Sequence, residues 1–299
     1  MLILSKKTYT VSLIFKESAL PRLETEILMA FLLHKNREFI LTHPETKISP
    51  VLYKQFKVLE TKCLKDWPVA YLTLKKEFYG LNFKVNPAVL IPRPETELFI
   101  DNILSLIRDQ TFLGELTIID VGTGSGAIII AVASELRRLF PTRFKKITLV
   151  GTDISVAALN IARQNVKNYK LNKKIKLYHG HLLMPLKLNK QKLLNREFII
   201  AANLPYLTPA QIKKSPTISR EPRLALDGGW LGLKYYRELF KQLAKLNSLG
   251  LKSHVFCEID PGQTLKIKLL AKKFFPAAKV KIQNDLAKKN RLLIIKNPG

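Results

Sequence analysis

The residues Asp120-Val121-Gly122-Thr123-Gly124-Ser125-Gly126 have the types and spacing of a ligand-binding turn. They overlap the end of an apolar strand, Thr117–Val121, and open a stretch of helical character, Ser125–Leu139. Glycines let a backbone turn sharply and approach a ligand with no Cβ in the way. The carboxyl end of a parallel strand is the binding edge of an open α/β sheet. With Ala127 the loop also satisfies Gly-x-Gly-x-x-Ala, a variant of the dinucleotide fingerprint. Alone, it does not separate a nicotinamide dehydrogenase from an enzyme of S-adenosylmethionine. Asp153, at the end of the next predicted strand, leaves that choice open, because a carboxylate there serves the ribose hydroxyls of either cofactor.

A second motif separates them. Phe198–Ala202 runs directly into Asn203-Leu204-Pro205-Tyr206. An amide or aromatic amine is a poor nucleophile, because its lone pair is delocalised. Its N–H groups must be gripped by acceptors that turn the lone pair toward a methyl group. The Asn203 side-chain oxygen and a nearby backbone carbonyl can do this. Pro205 stiffens the backbone presenting that carbonyl, and Tyr206 is expected to cover the flat acceptor. The pair of motifs points to methyl transfer from S-adenosylmethionine to a planar nitrogen.

These motifs need a scaffold, and the flanking pattern supplies one. Lys146–Thr152, Ile175–Tyr178, Phe198–Ala202 and His254–Ile259 read as further strands. Ser155–Lys170 reads as an amphipathic helix with Val156, Leu159, Ala162, Val166 and Tyr169 in one stripe. Short apolar strands alternating with helices predict a mostly parallel sheet covered on both faces. Val280–Ile282 and Leu292–Ile295 are expected to close it. The first part of the chain reads as helical, with Leu23, Ile27, Ala30 and Phe31 on one face and Leu52, Phe56, Leu59 and Cys63 on another. Pro21 and Pro44 suit breaks between helices. Tyr71–Ile91, around Gly80-Leu81-Asn82, predicts a β-hairpin or extended linker. Pro94, with Glu95 and Glu97, suits a first helical turn.

The 299 residues, 47% of them hydrophobic, allow one large domain or two unequal ones. No apolar run approaches the roughly 18–20 residues that span a bilayer. Met1–Phe15 is broken by Lys6 and Lys7 and is not read as a signal peptide. Cys63 and Cys257 lack metal-ligand spacing and are expected to be reduced thiols of a cytoplasmic protein; no metal site is expected. Fifty Lys and Arg against 23 Asp and Glu give a formal charge of +27. Such a field attracts RNA or ribosomes, and a lysine-rich proteome produces the same balance. The basic residues are spread along the chain, so charge alone does not identify a nucleic-acid enzyme.

Taken in order, these segments resemble the HemK/PrmC family, the protein-glutamine methyltransferases of peptide chain release factors. The resemblance covers nearly the whole chain. It rests on Pro68–Thr73 with Glu77-Phe78-Tyr79-Gly80, and on Leu90-Ile91-Pro92-Arg93-Pro94-Glu95-Thr96-Glu97. It extends through Arg220-Glu221-Pro222 to Ala225-Leu226-Asp227-Gly228-Gly229. Glu258-Ile259-Asp260 with Gln263, and Asp285-Leu286-Ala287 with Arg291, complete it. The resemblance implies an α/β class I methyltransferase, Rossmann-like, with a small all-helical N-terminal domain and a β-hairpin linker. The implied boundaries are 1–69 for docking, 70–92 for the linker and 93–299 for the methyltransferase domain.

It further implies that Gly122, Thr123, Gly124, Ser125 and Gly126 wrap the methionine part of S-adenosylmethionine and that Asp153 binds its ribose. Asn203, Leu204, Pro205 and Tyr206 would bind the glutamine amide of a Gly-Gly-Gln loop, with Asn203 also near the cofactor. Three departures stand out. The usual Asn-Pro-Pro-Tyr is Asn-Leu-Pro-Tyr. Gly180-His181-Leu182-Leu183 stands where an acidic residue and an aromatic are common, so His181 and Leu182 are expected to meet the adenine. Leu74 stands where the hairpin often has glycine. Rival readings are a methyltransferase acting on a ribosomal-protein glutamine or on exocyclic amines of DNA or RNA bases, and a non-catalytic cofactor- or ribosome-binding protein.

Overall fold

The computed structural model describes residues 9–297 apart from Thr111, Leu113 and Leu194. Lys6 and Lys7, with the rest of the stretch before Tyr9, lie outside the described residues. The chain forms two compact units, one running to Lys75 with Pro216–Arg220 added, the other comprising Lys76–Ser215 and Glu221 onward.

The first unit contains β1 (Tyr9–Thr10), α1 (Val11–Glu17), α2 (Arg22–Leu33), α3 (Arg37–Thr42), β2 (Lys47–Ile48), α4 (Pro50–Cys63) and α5 (Val69–Leu72). The side chains of Thr10, Asn36 and Ser49 cap α1, α3 and α4 by accepting the N–H of Leu13, Phe39 and Leu52. Val11, Ile14, Leu28, Met29, Ile40 and Phe56 form its core, with Leu52, Leu59 and Cys63 packed on it. The unit is helical, with one short antiparallel pairing of β1 and β2 added.

Helix α2 turns inward a face rotated from its apolar stripe: Ala30 of the stripe is in the core and Ile27 is half-buried. Leu23 and Phe31 are exposed, while Thr25, Glu26, Leu28 and Met29 are buried. The reason is Glu26, whose carboxylate takes Arg22 at 3.1 Å and Arg37 at 2.8 Å. A charge neutralised by Arg22 one turn earlier and by Arg37 on the next helix thus sits on the inner face, where an apolar stripe does not register it. Arg220 belongs to this unit too, with its guanidinium 5.2 Å from the Trp67 ring centre.

Tyr71 and Leu72 are helical rather than part of the hairpin. Leu74, with φ of +54°, ends that turn in the left-handed region that glycine occupies without strain. The hairpin proper is β3 (Lys75–Phe78) and β4 (Leu81–Lys84). Tyr79 and Gly80 join them with φ of +51° and +68°, as a two-residue hairpin turn of matching twist requires. Glu97 accepts the Tyr79 N–H at 2.8 Å.

Beyond the hairpin, a 3₁₀ turn at Pro94–Glu97 leads into α6 (Leu98–Asp109). There follow β5 (Glu115–Val121), α7 (Ala127–Leu139), α8 (Pro141–Lys146), β6 (Thr148–Asp153), α9 (Val156–Asn168) and β7 (Ile175–His179). The remainder is α10 (Lys190–Leu193), β8 (Arg196–Ala202), α11 (Pro209–Lys213), α12 (Lys234–Asn247), β9 (Lys252–Glu258), α13 (Thr264–Phe274), β10 (Lys279–Asn284) and β11 (Asn290–Asn297). The predicted strands are present with ends shifted by up to two residues. Helix α7 starts at Ala127 because Gly126, at φ +82°, still belongs to the turn.

Seven strands pair in the order β10-β11-β9-β8-β5-β6-β7. The five from β9 to β7 are parallel, and β11 runs antiparallel between β9 and β10. This is a Rossmann-like, mostly parallel sheet. Two apolar clusters sandwich it, one built on α6, α7 and the hairpin, the other on α12 and α13. The chain runs outward from β5 through β6 and β7, then returns to β8 on the other side. The strand order therefore reverses between β5 and β8, where a crevice opens at the carboxyl edge.

Candidate active site

Strand β5 delivers Gly122–Gly126 to that crevice, β6 delivers Asp153, and β8 delivers Asn203-Leu204-Pro205. They line one cleft, at the strand ends where ligand sites of open α/β sheets lie. Gly122, Thr123, Gly124, Ser125, Asp153, Leu182, Asn203, Leu204 and Pro205 all face it, as do His181, Thr96 and Tyr235. Two expected site residues stand behind the lining. Gly126 shapes the turn, where a Cβ would meet Ile130 at 3.0 Å. Tyr206 turns its hydroxyl to Glu258 at 3.0 Å.

The glycine loop is held from below and from the side. Thr123 Oγ1 donates to the fully buried Asp120 at 2.6 Å. Gly122 and Thr123 both donate their N–H to the Thr152 carbonyl, at 2.8 and 2.9 Å. Asp153 accepts the Gly124 N–H on Oδ2 and the Ser155 N–H on Oδ1, each at 2.8 Å. Burial raises the Asp153 carboxyl, and those backbone donors oppose the rise. Gly122 and Gly124 have φ of +74° and +55°, and a Cβ on Gly122 would come within 3.2 Å of Leu204. Larger residues would both strain the loop and close the cleft.

An adenosyl group with an amino-acid tail suits these features. Asp153 keeps lone pairs for ribose hydroxyls, the glycine backbone leaves room for a tail, and Ile128, Ile154 and Leu182 offer an apolar wall for a flat ring. His181 is half-buried, and its Nε2 lies 2.7 Å from Glu238. Leu182 is buried, with φ of +51°.

The Asn203 end of β8 is more heavily braced than the tetrapeptide alone suggests. Asn203 Nδ2 donates to Glu258 Oε2 at 3.0 Å and to Thr96 Oγ1 at 3.2 Å. Thr96 Oγ1 in turn donates to Glu258 Oε2 at 2.6 Å. Leu204 N–H donates to the Tyr236 hydroxyl at 3.3 Å, and that hydroxyl donates to the Glu258 carbonyl. Gln263 Nε2 donates to the Tyr206 carbonyl at 2.6 Å. Gly228 and Gly232 let the following loop lie on this backbone, since a Cβ at either would fall within 2.5 Å of the Pro205 or Tyr206 carbonyl oxygen.

Thr96, Glu258 and Gln263 were legible in the sequence only as parts of family segments, with no role. So was Glu221, which accepts the Ile91 N–H at 3.0 Å and pairs with Arg93. A buried acid at the carboxyl end of β9, beside the strand bearing Asn203, is the signal that the strand-order rule could have used. Burial pushes the Glu258 carboxyl up; Thr96, Tyr206 and Arg291 pull it down. Burial and Glu258 push the Tyr206 phenol well up, so it remains a donor. Among the described residues no three metal-ligating side chains cluster, and no helix is long and apolar enough to cross a membrane.

Known proteins match the chain over most of its length. Residues 10–73 match the model of the PrmC N-terminal domain, and residues 114–268 match that of a methyltransferase domain. The chain is 34% identical over 270 residues to a release factor glutamine methyltransferase of Bacillus cereus, covering 90% of each chain. It is 36% identical over 247 residues to that of Moorella thermoacetica, covering 82% of this chain and 81% of the relative. Among solved structures, the hMettl16 catalytic domain in complex with a 3′UTR hairpin superposes with a TM-score of 0.57 at 14% identity, covering 77% of this chain and 79% of that one. At that identity the likeness is one of fold.

Proposed function

We propose that this chain, which belongs to the release factor glutamine methyltransferase family, methylates the side-chain amide of the glutamine in the Gly-Gly-Gln loop of a peptide chain release factor. S-adenosylmethionine, when bound, supplies a methyl group on a positively charged sulfur. The observation that carries the reading is the Asn203 carboxamide. Its Nδ2 is engaged by Glu258 and Thr96, which leaves Oδ1 at the cleft to accept an N–H.

The residues divide the work. Gly122, Thr123, Gly124 and Ser125 accommodate the methionine part of the cofactor, with Gly126 setting the turn. Asp153 takes the ribose hydroxyls, and Leu182 with His181 meets the adenine. Asn203 Oδ1 accepts one N–H of the substrate amide, so its lone pair is held toward the glycine loop. Leu204 and Pro205 present a stiff backbone beside it, and Tyr206 anchors that backbone from behind through Glu258 and Gln263. Holding the amide in place contributes through orientation. The bond to Asn203 speeds the step to the extent that it strengthens as the nitrogen leaves its plane. The amide proton leaves after transfer, so no base is required at the start.

The division into a docking domain, 1–69, a linker, 70–92, and a catalytic domain, 93–299, belongs to the same proposal, as does action in the cytoplasm. So does contact with RNA or the ribosome. Between Glu135 and Glu197 the only acidic residue is Asp153, whereas Arg137, Arg138, Lys145, Lys146, Lys170 and Lys173 are exposed. Lys174 binds the Lys145 carbonyl at 3.2 Å and Arg137 that of Tyr169 at 3.4 Å. These bonds gather the ends of α7, α8 and α9 at the β7 edge into one basic surface. The assignment is tested by methyl transfer to a release factor and to its variant lacking the glutamine.

A further inference from the structure

Glu258 is 1% exposed at the end of β9, and three donors converge on it. Thr96 Oγ1 lies 2.6 Å away, Asn203 Nδ2 3.0 Å and Tyr206 Oη 3.0 Å. An ionised carboxylate can only accept. Thr96, having given its proton to Glu258, has only lone pairs left for Asn203. Both neighbours of that end of the Asn203 carboxamide are therefore acceptors. Only the NH₂ end can face them, and the oxygen must point the other way.

We infer that Glu258 is a positioning residue whose carboxylate, directly and through Thr96, fixes which end of the Asn203 carboxamide is offered to the substrate amide. The inference rests on the function proposed above. A carboxamide is nearly symmetric in shape, and packing alone does not choose between its ends. Reversed, Asn203 would point N–H groups at the N–H groups of the substrate, and the grip would become a repulsion. Tyr206 occupies the second carboxylate oxygen, so Oε2 stays directed at Thr96 and Asn203.

The test compares the wild-type chain with Thr96→Val, Thr96→Ser and Glu258→Met, measuring kcat on a release factor, KM for S-adenosylmethionine and thermal stability. Valine keeps the shape of Thr96 without its hydroxyl; serine keeps the hydroxyl without the methyl group. Thr96→Val should lower kcat about tenfold and Glu258→Met about a hundredfold, as for loss of one or more charge-assisted hydrogen bonds. KM for S-adenosylmethionine should stay within about twofold, and Thr96→Ser should remain close to wild type. A packing role predicts the reverse order, valine above serine; that order, or wild-type kcat in Glu258→Met, overturns the inference. A wild-type chain inactive on the factor would defeat the proposed function instead. In that case the side-chain amide signal of Asn203 in ¹⁵N-asparagine-labelled chain still decides. It should shift in Thr96→Val but not in Thr96→Ser, and an unchanged signal in both overturns the inference.

Discussion

Asn165 and Lys84 exchange two hydrogen bonds: Asn165 Oδ1 accepts the Lys84 N–H at 2.8 Å, and Asn165 Nδ2 donates to the Lys84 carbonyl at 3.0 Å. The same Nδ2 donates to the Ser125 carbonyl at 2.8 Å. A single fully buried side chain on α9 thus acts as a strand partner for the end of β4 and ties it to the glycine loop. Asn165→Ala would leave three polar backbone groups without partners. It should destabilise the chain by about 2–4 kcal/mol and weaken cofactor binding, read by thermal unfolding and calorimetry. A loss below about 0.5 kcal/mol would mean that the hairpin holds itself.

Asp153 and Asn203 line the same cleft but should fail differently. Asp153→Ala removes the carboxylate proposed for the ribose and frees the Gly124 and Ser155 N–H groups, so cofactor affinity should fall about tenfold or more. Asn203→Ala should abolish transfer while leaving cofactor affinity within about threefold. Binding titrations beside single-turnover rates separate the two. Cofactor affinity collapsing together with activity in Asn203→Ala would contradict the division of roles.

Asp120 should make stability fall with rising pH. Burial pushes its carboxyl from 3.8 up to about 7, against the pull of the Thr123 hydroxyl. The unfolded chain loses this proton near 3.8 and the folded chain near 7. Between those values the unfolded state binds fewer protons, so raising the pH favours unfolding. The contribution is complete below the lower value and gone above the upper one, at most on the order of 4 kcal/mol. Melting curves at pH 5 and pH 8 should show the loss in the wild-type chain. Asp120→Asn should flatten it, and equal slopes in both would remove Asp120 as the cause.

The basic surface at the β7 edge predicts RNA binding that weakens steeply with salt, because phosphate contacts release counterions. Reversing Lys146, Lys170 and Lys173 to Glu should weaken binding of a short RNA at least about tenfold and leave methyl transfer to a free release factor unchanged. RNA affinity that is low and insensitive to the triple change would assign the charge to composition alone.

Much of the scaffold was legible because parallel strands buried on both faces are near-continuous apolar runs, as Phe198–Ala202 is and as Thr117–Val121 is but for Asp120. The cleft was legible because Gly122–Gly126 and Asn203–Tyr206 advertise unusual backbone demands. The brace behind the cleft was not. Thr96 and Glu258 are 162 residues apart, Asn203 and Glu258 55, and Asn165 and Lys84 81. A local pattern holds no record of a hydrogen bond across that distance. The full inner face of α2 was not legible for the same reason: Glu26 is made tolerable there by Arg37, on the next helix. The placement of Tyr206 behind the lining likewise depends on Glu258, which the tetrapeptide does not contain.

The central claim is tested most directly by incubating the purified chain with labelled S-adenosylmethionine and a release factor, beside the same factor with Gln→Ala in its Gly-Gly-Gln loop. Label on the first and none on the second is the predicted result. No label on either factor, with label appearing on RNA or DNA, would contradict it and would make a base amine the acceptor held by Asn203.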